Sequence, residues 1–379
     1  MIHFEPDTCR IRHGGESLQL LPKEFVLLRY LHENAGRSFS REQLLNAVWP
    51  MEAPVDRTVD DHVYRLRKKT AGWSHLFRLE TVRGKGYKLT LAPSAPGERP
   101  LLSDGQFAAD VGRLFSKYHS LGMGAAMQLL SEHRDILSLP EDPYYDAYVR
   151  FVRGDFRSLL EAENVDPSQK AAYAAFILSF VEENPGVPLS YIERLTAAKG
   201  RLTPDWIADL KSEAVSLYLE AGLPDRARAT LNGLGPIVAG LESPSFTAVF
   251  LLKQACLSIR EIRLDDALAQ LLECEELLNR HPILRERGAY LVCKASFLYR
   301  RREIAAARES LDEGIETTKR TRFVPHLLGC LRLILRYFRT DDADPAYREK
   351  YRRQWDALSE RYRLDELPEL AAKVLERSL

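Results

Sequence analysis

Apolar residues recur at helical spacing between residues 56 and 69, and polar residues occupy the opposite side of the same segment. Val59, Val63 and Leu66 stand at positions i, i+4 and i+7, so a helix would bring them onto one buried stripe. The opposite stripe consists of Asp61, Tyr64, Arg65 and Lys68. The pattern therefore predicts an amphipathic helix that buries one side and exposes a largely basic one.

A β-hairpin is predicted immediately after this helix, over residues 79–89. Val82 and Leu89 can point inward, while Arg83 and Lys85 project at or near a tip that contains two glycines. The Arg-Gly-Lys-Gly run lacks the spacing of a phosphate-binding P-loop and does not precede a helix. A basic helix followed by a basic hairpin is typical of winged-helix domains, in which the helix enters the major groove of DNA.

Two further helices are predicted before the basic one, over residues 23–34 and 41–48. Ser40 and Gln43 stand three residues apart, the spacing of a capping box at the start of the second helix. Short strands are predicted near the N-terminus at 2–5, 10–12 and 17–20, with a hairpin turn at 13–16. This order of elements predicts an α+β winged-helix domain over residues 1–91.

The distribution of charge supports this interpretation. Residues 1–92 contain 15 basic and 11 acidic residues, whereas the rest of the chain contains 39 basic and 43 acidic residues. Taken alone, charged residues such as Arg65 and Lys68 more often belong to a solvated helix face than to a binding site. Their position between a preceding helix and a basic hairpin favours a polyanion partner instead.

Four motifs in the same order resemble the DNA-binding domain of OmpR/PhoB-type transcription factors, over about residues 2–91. They are LPKEFVLL at 21–28, SREQLLNAVW at 40–49, DRTVDDHVYRLRK at 56–68 and TVRGKGY at 81–87. The resemblance implies that the third helix is the recognition helix, that the hairpin is the wing, and that the loop 49–55 can contact RNA polymerase. Such factors act in pairs on repeated half-sites, so a homodimer is one expectation.

The resemblance also implies DNA contacts from particular residues, by position: Arg57, Thr58, Arg65, Arg67, Thr81, Arg83 and Tyr87. The exposed stripe and the hairpin tip add Asp61, Tyr64, Lys68 and Lys85 to this candidate set. Tyr64 stands where members of the family often carry a second arginine, and a tyrosine cannot form the bidentate contact to guanine that arginine forms. Family members usually carry a receiver domain first, whereas here the DNA-binding domain begins at Met1; we therefore expect a regulator without a receiver.

A linker is predicted at residues 92–101, which contain three prolines and one glycine. Residues 102–379 carry helical patterns with a period of 40 residues, which aligns Ala227, Ala267 and Ala307. This spacing predicts an all-α array of helical hairpins similar to tetratricopeptide (TPR) repeats, although it exceeds their 34-residue period. Gly154 is expected in a turn between two helices of this part.

Catalytic, metal-binding and membrane functions find no support in the sequence. A nucleophile elbow, a Walker loop and zinc-ligand spacing are all missing, so we expect neither an enzyme nor a cofactor or metal site. The five cysteines are far apart, which predicts reduced thiols, mostly in the core. The N-terminus has no signal-peptide pattern and no apolar run approaches membrane-spanning length, so we expect a cytoplasmic, bacterial protein.

The sequence thus predicts a sequence-specific regulator of transcription that binds double-stranded DNA. Its helical repeats would sense a ligand or peptide, or mediate protein contacts. The alternative is a scaffold for proteins or peptides whose winged helix does not bind DNA. The two hypotheses differ in whether the chain has a salt-sensitive affinity for duplex DNA.

Overall fold

The computed structural model describes residues 2–13, 15–49, 56–82, 84–91, 101, 104–198, 200–340 and 344–378. The chain divides into two compact units, Met1–Ser103 and Asp104–Leu379. Each unit has its own hydrophobic core, because the buried residues of the first unit form a cluster separate from those of the second.

Two small antiparallel sheets enclose the N-terminal unit. The first has the order β1 (His3–Glu5), β2 (Arg10–His13), β3 (Glu16–Gln19). The second has the order β4 (Ser38–Phe39), β6 (Gly86–Leu91), β5 (Phe77–Val82). The hairpin of β5 and β6 is the predicted wing, and it is longer than residues 79–89 because the pairing extends from Phe77 to Leu91.

Three helices fill the space between the sheets: α1 (Pro22–Glu33), α2 (Arg41–Val48) and α3 (Asp56–Lys69). The predicted stripe of Val59, Val63 and Leu66 is at most 1% exposed and packs into the core. The capping box of α2 is also confirmed. The Gln43 backbone N–H donates to Ser40 Oγ at 3.1 Å, and the Ser40 backbone N–H donates to Gln43 Oε1 at 2.9 Å. An α+β winged-helix architecture is therefore confirmed.

The second unit consists of helices throughout its described part, as predicted. They are α4 (Gly105–Ser120), α5 (Gly124–Glu132), α6 (Arg134–Leu137), α7 (Pro143–Arg153), α8 (Phe156–Glu161), α9 (Pro167–Val181), α10 (Gly186–Ala197), α11 (Pro204–Glu220), α12 (Pro224–Leu241), α13 (Pro244–Arg260), α14 (Leu264–Arg280), α15 (Leu284–Arg300), α16 (Ile304–Thr321), α17 (Val324–Thr340), α18 (Pro345–Tyr362) and α19 (Leu367–Ser378). Gly154 ends α7 with a φ of +84°, which confirms the predicted turn.

The 40-residue period corresponds to three helical hairpins, α11–α12, α13–α14 and α15–α16. Ala227, Ala267 and Ala307 are each 0% exposed and occupy equivalent positions in the second helix of each hairpin. A small side chain at this position allows the two helices of a hairpin to approach closely. The predicted register of the repeats is therefore confirmed.

The last helix, α19, packs against α9, which the periodicity did not predict. Its residues Leu367 and Leu375 belong to the same core as Ile177 of α9 and are at most 1% exposed. Arg157 Nη1 of α8 also donates to Glu366 Oε2, at 2.7 Å. The apolar face of the last helix is therefore covered by helices from an earlier part of the unit.

The turn inside each hairpin contains a residue in the left-handed region. Gly222, Ile262 and Arg302 have φ values of +73°, +60° and +64°, and they are spaced by the 40-residue period. A β-branched residue is strained in this conformation, because its Cβ approaches the backbone. Ile262 is also 68% exposed, so it gains little from packing in compensation.

We predict that Ile262→Gly stabilises the helical unit by about 0.5–1 kcal/mol. Relief of about 1–2 kcal/mol of strain exceeds the roughly 0.5–1 kcal/mol that glycine costs through the entropy of the unfolded chain. Urea unfolding followed by circular dichroism measures the difference. Ile262→Ala is the matched control, because it keeps the Cβ and most of the strain; a Gly variant less stable than the Ala variant would contradict the prediction.

In the described residues, no helix combines the length and the apolar character needed to cross a lipid bilayer.

Candidate nucleic-acid interface

The side of α3 opposite its buried stripe is exposed along its length. Asp61, Arg65 and Lys68 are all exposed, and the side chain of Tyr64 is 68% exposed. Arg65 makes a long hydrogen bond within its own helix, from Nε to the Asp61 carbonyl oxygen at 3.3 Å. These side chains form a surface whose donors and aromatic ring are free to meet a ligand.

Asp60 connects α3 to both α2 and the wing. Its Oδ1 accepts hydrogen bonds from Arg41 Nε at 2.8 Å and from the Tyr87 hydroxyl at 2.7 Å. Burial raises the pKa of the Asp60 carboxyl, but the hydrogen bonds from Tyr87 and Arg41 outweigh burial and hold its pKa below the usual value. We call Asp60, Arg41 and Tyr87 the clamp.

Arg67 forms a second connection between α3 and the wing. Its Nε donates to the Leu79 carbonyl oxygen at 2.8 Å, and its Nη2 donates to Thr81 Oγ1 at 2.9 Å. The guanidinium also lies 5.7 Å from the centre of the Tyr87 ring. Three candidate residues, Arg67, Thr81 and Tyr87, therefore hold the wing against α3 in the free protein.

Tyr87 is only 6% exposed, which distinguishes it from the candidates on the α3 surface. Two cations lie near its ring, because the guanidinium groups of Arg41 and Arg67 are 5.4 and 5.7 Å from its centre. Burial and the hydrogen bond to Asp60 raise the pKa of the Tyr87 hydroxyl. The structure thus gives Tyr87 a positioning role; a direct contact with DNA stays a prediction.

The N-terminal part of α3 contains the remaining candidates, Arg57 and Thr58. Arg57 is exposed and Thr58 is half-buried. The Thr58 carbonyl oxygen lies 2.8 Å from His62 Nδ1, and the His62 ring packs edge-on against Trp49 with 5.0 Å between ring centres. These contacts fix the start of α3 against the end of α2.

The buried carboxylate of Glu24 anchors the other end of α3. Glu24 is 0% exposed, and its Oε2 accepts from Lys69 Nζ at 2.6 Å and from the Leu21 backbone N–H at 3.0 Å. Burial raises the pKa of the Glu24 carboxyl. The hydrogen bonds from Lys69 and the Leu21 backbone N–H outweigh burial and hold this pKa below its usual value. Sequence reasoning missed Glu24, Asp60 and Arg41, because each acts through a partner far away in the chain.

The wing closes against β4 at Gly86. Gly86 has a φ of +114°, and a Cβ atom there would lie 2.1 Å from the Phe39 carbonyl oxygen. Gly84 also has a positive φ, +74°, but a Cβ there would have no neighbour within 4 Å. At the turn, the Lys85 backbone N–H donates to the Val82 carbonyl oxygen at 2.9 Å, and its side chain is exposed.

Two of the predicted features lie outside the described residues. Arg83, which the sequence predicts at or near the tip of the wing, is one of them. The other is the loop expected to contact RNA polymerase, of which only Trp49 is described.

A buried polar cluster in the helical unit was not predicted from the sequence. Arg285 donates from Nε to Glu286 Oε1 at 2.7 Å and from Nη2 to Ser245 Oγ at 2.8 Å. Its Nη1 lies 3.4 Å from the Tyr148 hydroxyl oxygen. Glu286 Oε2 is buried and has no hydrogen-bond partner among the described residues. The cluster joins helices α7, α13 and α15.

Two titratable groups near this cluster have unusual pKa values. Burial, opposed by Arg285 and assisted by Asp205, raises the pKa of Asp209 on α11 to about 7. Burial and the charge of Arg285 lower the pKa of His119 to about 4, and its ring stacks on Tyr148 with 4.2 Å between ring centres. Strongly shifted pKa values are frequent at functional sites, although structural networks also produce them. No set of three His, Cys, Asp or Glu side chains among the described residues could hold a metal ion.

The geometry of the N-terminal unit defines a winged-helix domain with an exposed recognition helix, and comparisons with known proteins agree. Residues 15–89 match the family model described as "Transcriptional regulatory protein, C terminal". Over 90 residues, the chain is 42% identical to the phosphate regulon transcriptional regulatory protein PhoB of Escherichia coli K12, which covers 24% of this chain and 39% of PhoB. Over 83 residues, it is 54% identical to the uncharacterized transcriptional regulatory protein YclJ of Bacillus subtilis 168, which covers 21% of this chain and 36% of YclJ.

Among solved structures, the DNA-binding domain of the response regulator AdeR, in complex with an intercistronic region, is 30% identical to the N-terminal part. The match covers 24% of this chain and 93% of that chain, with a TM-score of 0.22. The N-terminal unit therefore contains an OmpR/PhoB-type DNA-binding domain of a transcription regulator. The chain spans about two fifths of the length of the curated relatives it matches.

We predict that Gly86→Ala disrupts the wing much more than Gly84→Ala. Both substitutions introduce strain of about 1–3 kcal/mol at a positive φ, but only Gly86→Ala also places a Cβ against the Phe39 backbone. Amide hydrogen exchange of β4 and β6 in the full chain measures the effect. Equal loss of protection in the two variants would show that the close approach of β4 does not constrain the wing.

Proposed function

We propose that this protein is a sequence-specific, DNA-binding regulator of transcription. In this proposal, residues 1–91 form the DNA-binding domain, residues 92–101 the linker, and residues 102–379 a helical domain that senses a ligand or mediates protein contacts. The observation that carries the proposal is the exposed stripe of Asp61, Tyr64, Arg65 and Lys68 on α3. Such a stripe on the third helix of a winged helix is in the position that enters a major groove.

The exposed stripe would read the bases. Arg65 and Lys68 are the donors best placed to reach guanine O6 and N7 or the flanking phosphates, because both are exposed on the side of α3 opposite its buried stripe. Tyr64 offers a ring that can pack on a sugar or on a thymine methyl group. Asp61, as an acceptor, can take a hydrogen bond from cytosine N4.

The remaining candidates would place the helix and the wing on the DNA backbone. Arg57 and Thr58 stand at the start of α3, and Lys85 stands at the turn of the wing, next to Arg83. Contacts with phosphates fix orientation without specifying sequence. Arg67, Thr81 and Tyr87 would act mainly by holding the wing at a fixed distance from α3, since their polar groups already bind each other or Asp60.

The helical unit would supply the regulatory input. The cluster around Arg285 supports a sensing role, because Glu286 Oε2 has no hydrogen-bond partner among the described residues and Asp209 has a pKa of about 7. Glu286 Oε2 and the Asp209 carboxyl are positions where a ligand with hydrogen-bond donors would gain affinity. We further propose action in the bacterial cytoplasm, pairing of two copies on repeated half-sites, and contact of the loop 49–55 with RNA polymerase.

The second candidate function is that of a protein or peptide scaffold whose winged helix does not bind DNA. The exposed ring of Tyr64 would suit a protein interface as well as a groove. The salt dependence of binding distinguishes the two functions, because binding to duplex DNA releases counterions and weakens steeply as the salt concentration rises.

We predict that Arg65→Ala lowers the difference in binding free energy between specific and scrambled DNA sites by on the order of 1–3 kcal/mol. The physical reason is the loss of base-edge contacts that only the matching sequence satisfies. Fluorescence anisotropy with sites selected from a random duplex library measures both affinities. The matched control is Arg29→Ala, which removes an exposed arginine of α1 paired with Glu33. An Arg65→Ala protein that discriminates as the wild type does would refute the assignment.

We predict that Lys85→Ala weakens binding to all duplexes alike and lowers the slope of log K against log salt by about one. A phosphate contact contributes to affinity without reading sequence, so the ratio between specific and scrambled sites should stay unchanged. Lys373→Ala, at an exposed lysine of α19, provides the control. Changed specificity with an unchanged salt slope would place Lys85 on a base instead.

A further inference from the structure

Two cysteines of the helical unit lie side by side on neighbouring helices. Cys256 belongs to α13 and Cys293 to α15, the first helices of two consecutive hairpins. Their Sγ atoms are 3.5 Å apart, and both thiols are free. A disulfide requires a separation of about 2.05 Å, so a combined movement of about 1.5 Å would join the two sulfurs.

The surroundings of the two thiols differ. Cys293 is 1% exposed, and its Sγ also lies 3.9 Å from the Leu252 carbonyl oxygen. Cys256 is half-buried as a residue. Lys253 lies one helical turn before Cys256 and donates from Nζ to Ser216 Oγ at 2.5 Å. The pair therefore combines one half-buried residue with one buried residue.

The electrostatics assign different tasks to the two sulfurs. The hydrogen bond between the two thiols, which Cys293 donates when Cys256 is ionised, and the charge of Lys253 lower the pKa of the Cys256 thiol despite its burial. The hydrogen bond to Cys256 and burial raise the pKa of the Cys293 thiol. A thiolate is the reactive form of cysteine, so Cys256 is the nucleophile and Cys293 the thiol that resolves the product.

We propose that Cys256 and Cys293 form a redox-active pair that a hydroperoxide oxidises to an intramolecular disulfide. This site goes beyond the regulator function proposed above and does not depend on DNA binding. It also goes beyond the sequence expectation of reduced thiols that lie mostly in the core. The other three cysteines, Cys9, Cys274 and Cys330, have no sulfur partner among the described contacts.

The chemistry balances in two steps. The Cys256 thiolate attacks one peroxide oxygen, the O–O bond breaks, and the other oxygen leaves as hydroxide or alkoxide, which takes up a proton. Cys256 is now a sulfenic acid, oxidised by two electrons, while the peroxide is reduced by two. Cys293 then attacks the Cys256 sulfur, an S–S bond forms, and the hydroxyl group leaves with the thiol proton as water. A cellular dithiol would reverse the reaction by exchange.

The disulfide would link helices that belong to consecutive repeats. Stability in helical arrays depends on the interfaces between neighbouring repeats. A covalent link between α13 and α15 would restrict their relative movement, and both helices contribute residues to the cluster of Arg285, Glu286 and Ser245. Oxidation would therefore act on two of the helices that hold this cluster.

The test uses the full-length reduced protein and hydrogen peroxide. After exposure to a small excess of peroxide, the free thiols are blocked with N-ethylmaleimide, and the protein is digested without reduction for mass spectrometry. The expected result is a peptide that links Cys256 to Cys293, with the number of free thiols falling from five to three per chain. Dithiothreitol should restore all five.

Variants separate this pair from the other cysteines. Cys293→Ser should stop the reaction at a sulfenic acid on Cys256 that dimedone traps, and Cys256→Ser should leave Cys293 unmodified. Cys274→Ala and Cys330→Ala are controls that should still form the link. Wild-type protein in which peroxide consumes Cys9 or Cys274 before Cys256, or links Cys293 to Cys274, would overturn the proposal without any variant.

Discussion

The carboxylate of Asp60 is the contact on which the DNA-binding surface depends. It accepts hydrogen bonds from α2 through Arg41 and from the wing through Tyr87, while its own helix is the one that carries the exposed stripe. The side chains of Arg41 and Asp60 are 37% and 40% exposed, so solvent screens their ion pair, which contributes at most about 1 kcal/mol to stability. Its importance lies in geometry: the clamp sets the distance and angle between the recognition helix and the wing.

The ring of Tyr87 makes the clamp more rigid than one ion pair would. The ring is buried, and the cations of Arg41 and Arg67 lie 5.4 and 5.7 Å from its centre. Arg67 in turn binds the backbone of β5, so helix α3 is attached to both strands of the wing. If the proposed function holds, a DNA duplex would meet a preformed surface at little cost in ordering it.

Much of this architecture could be predicted from the sequence, because it depends on local patterns. The stripe of Val59, Val63 and Leu66 and the capping box at Ser40 each lie within one helix, and the buried alanines of the array recur at a fixed spacing of 40 residues. The contacts that could not be predicted join distant residues. Glu24 meets Lys69, Asp60 meets Tyr87, and α19 covers α9, and none of these pairings leaves a periodic signal in the chain.

The same distinction applies to the candidate site. Exposure of Tyr64, Arg65 and Lys68 followed from the burial of the opposite stripe, since a helix that packs one side presents the other. The burial of Tyr87 could not be predicted in this way. Alternation along a strand indicates on which face of the sheet a side chain lies, but not which residues cover that face. Tyr87 is covered by contacts with Asp60, Arg41 and Arg67, which position the wing; its predicted contact with DNA stays a prediction.

The most direct measurement is amide hydrogen exchange of the full-length chain with and without a duplex selected for binding. The account predicts increased protection in residues 57–69 of α3 and in residues 84–88 of the wing, with little change in α1, which lies behind the recognition helix. Protection confined to the first sheet or to the helical unit, with α3 exchanging as in the free protein, would contradict the claim that this face binds DNA.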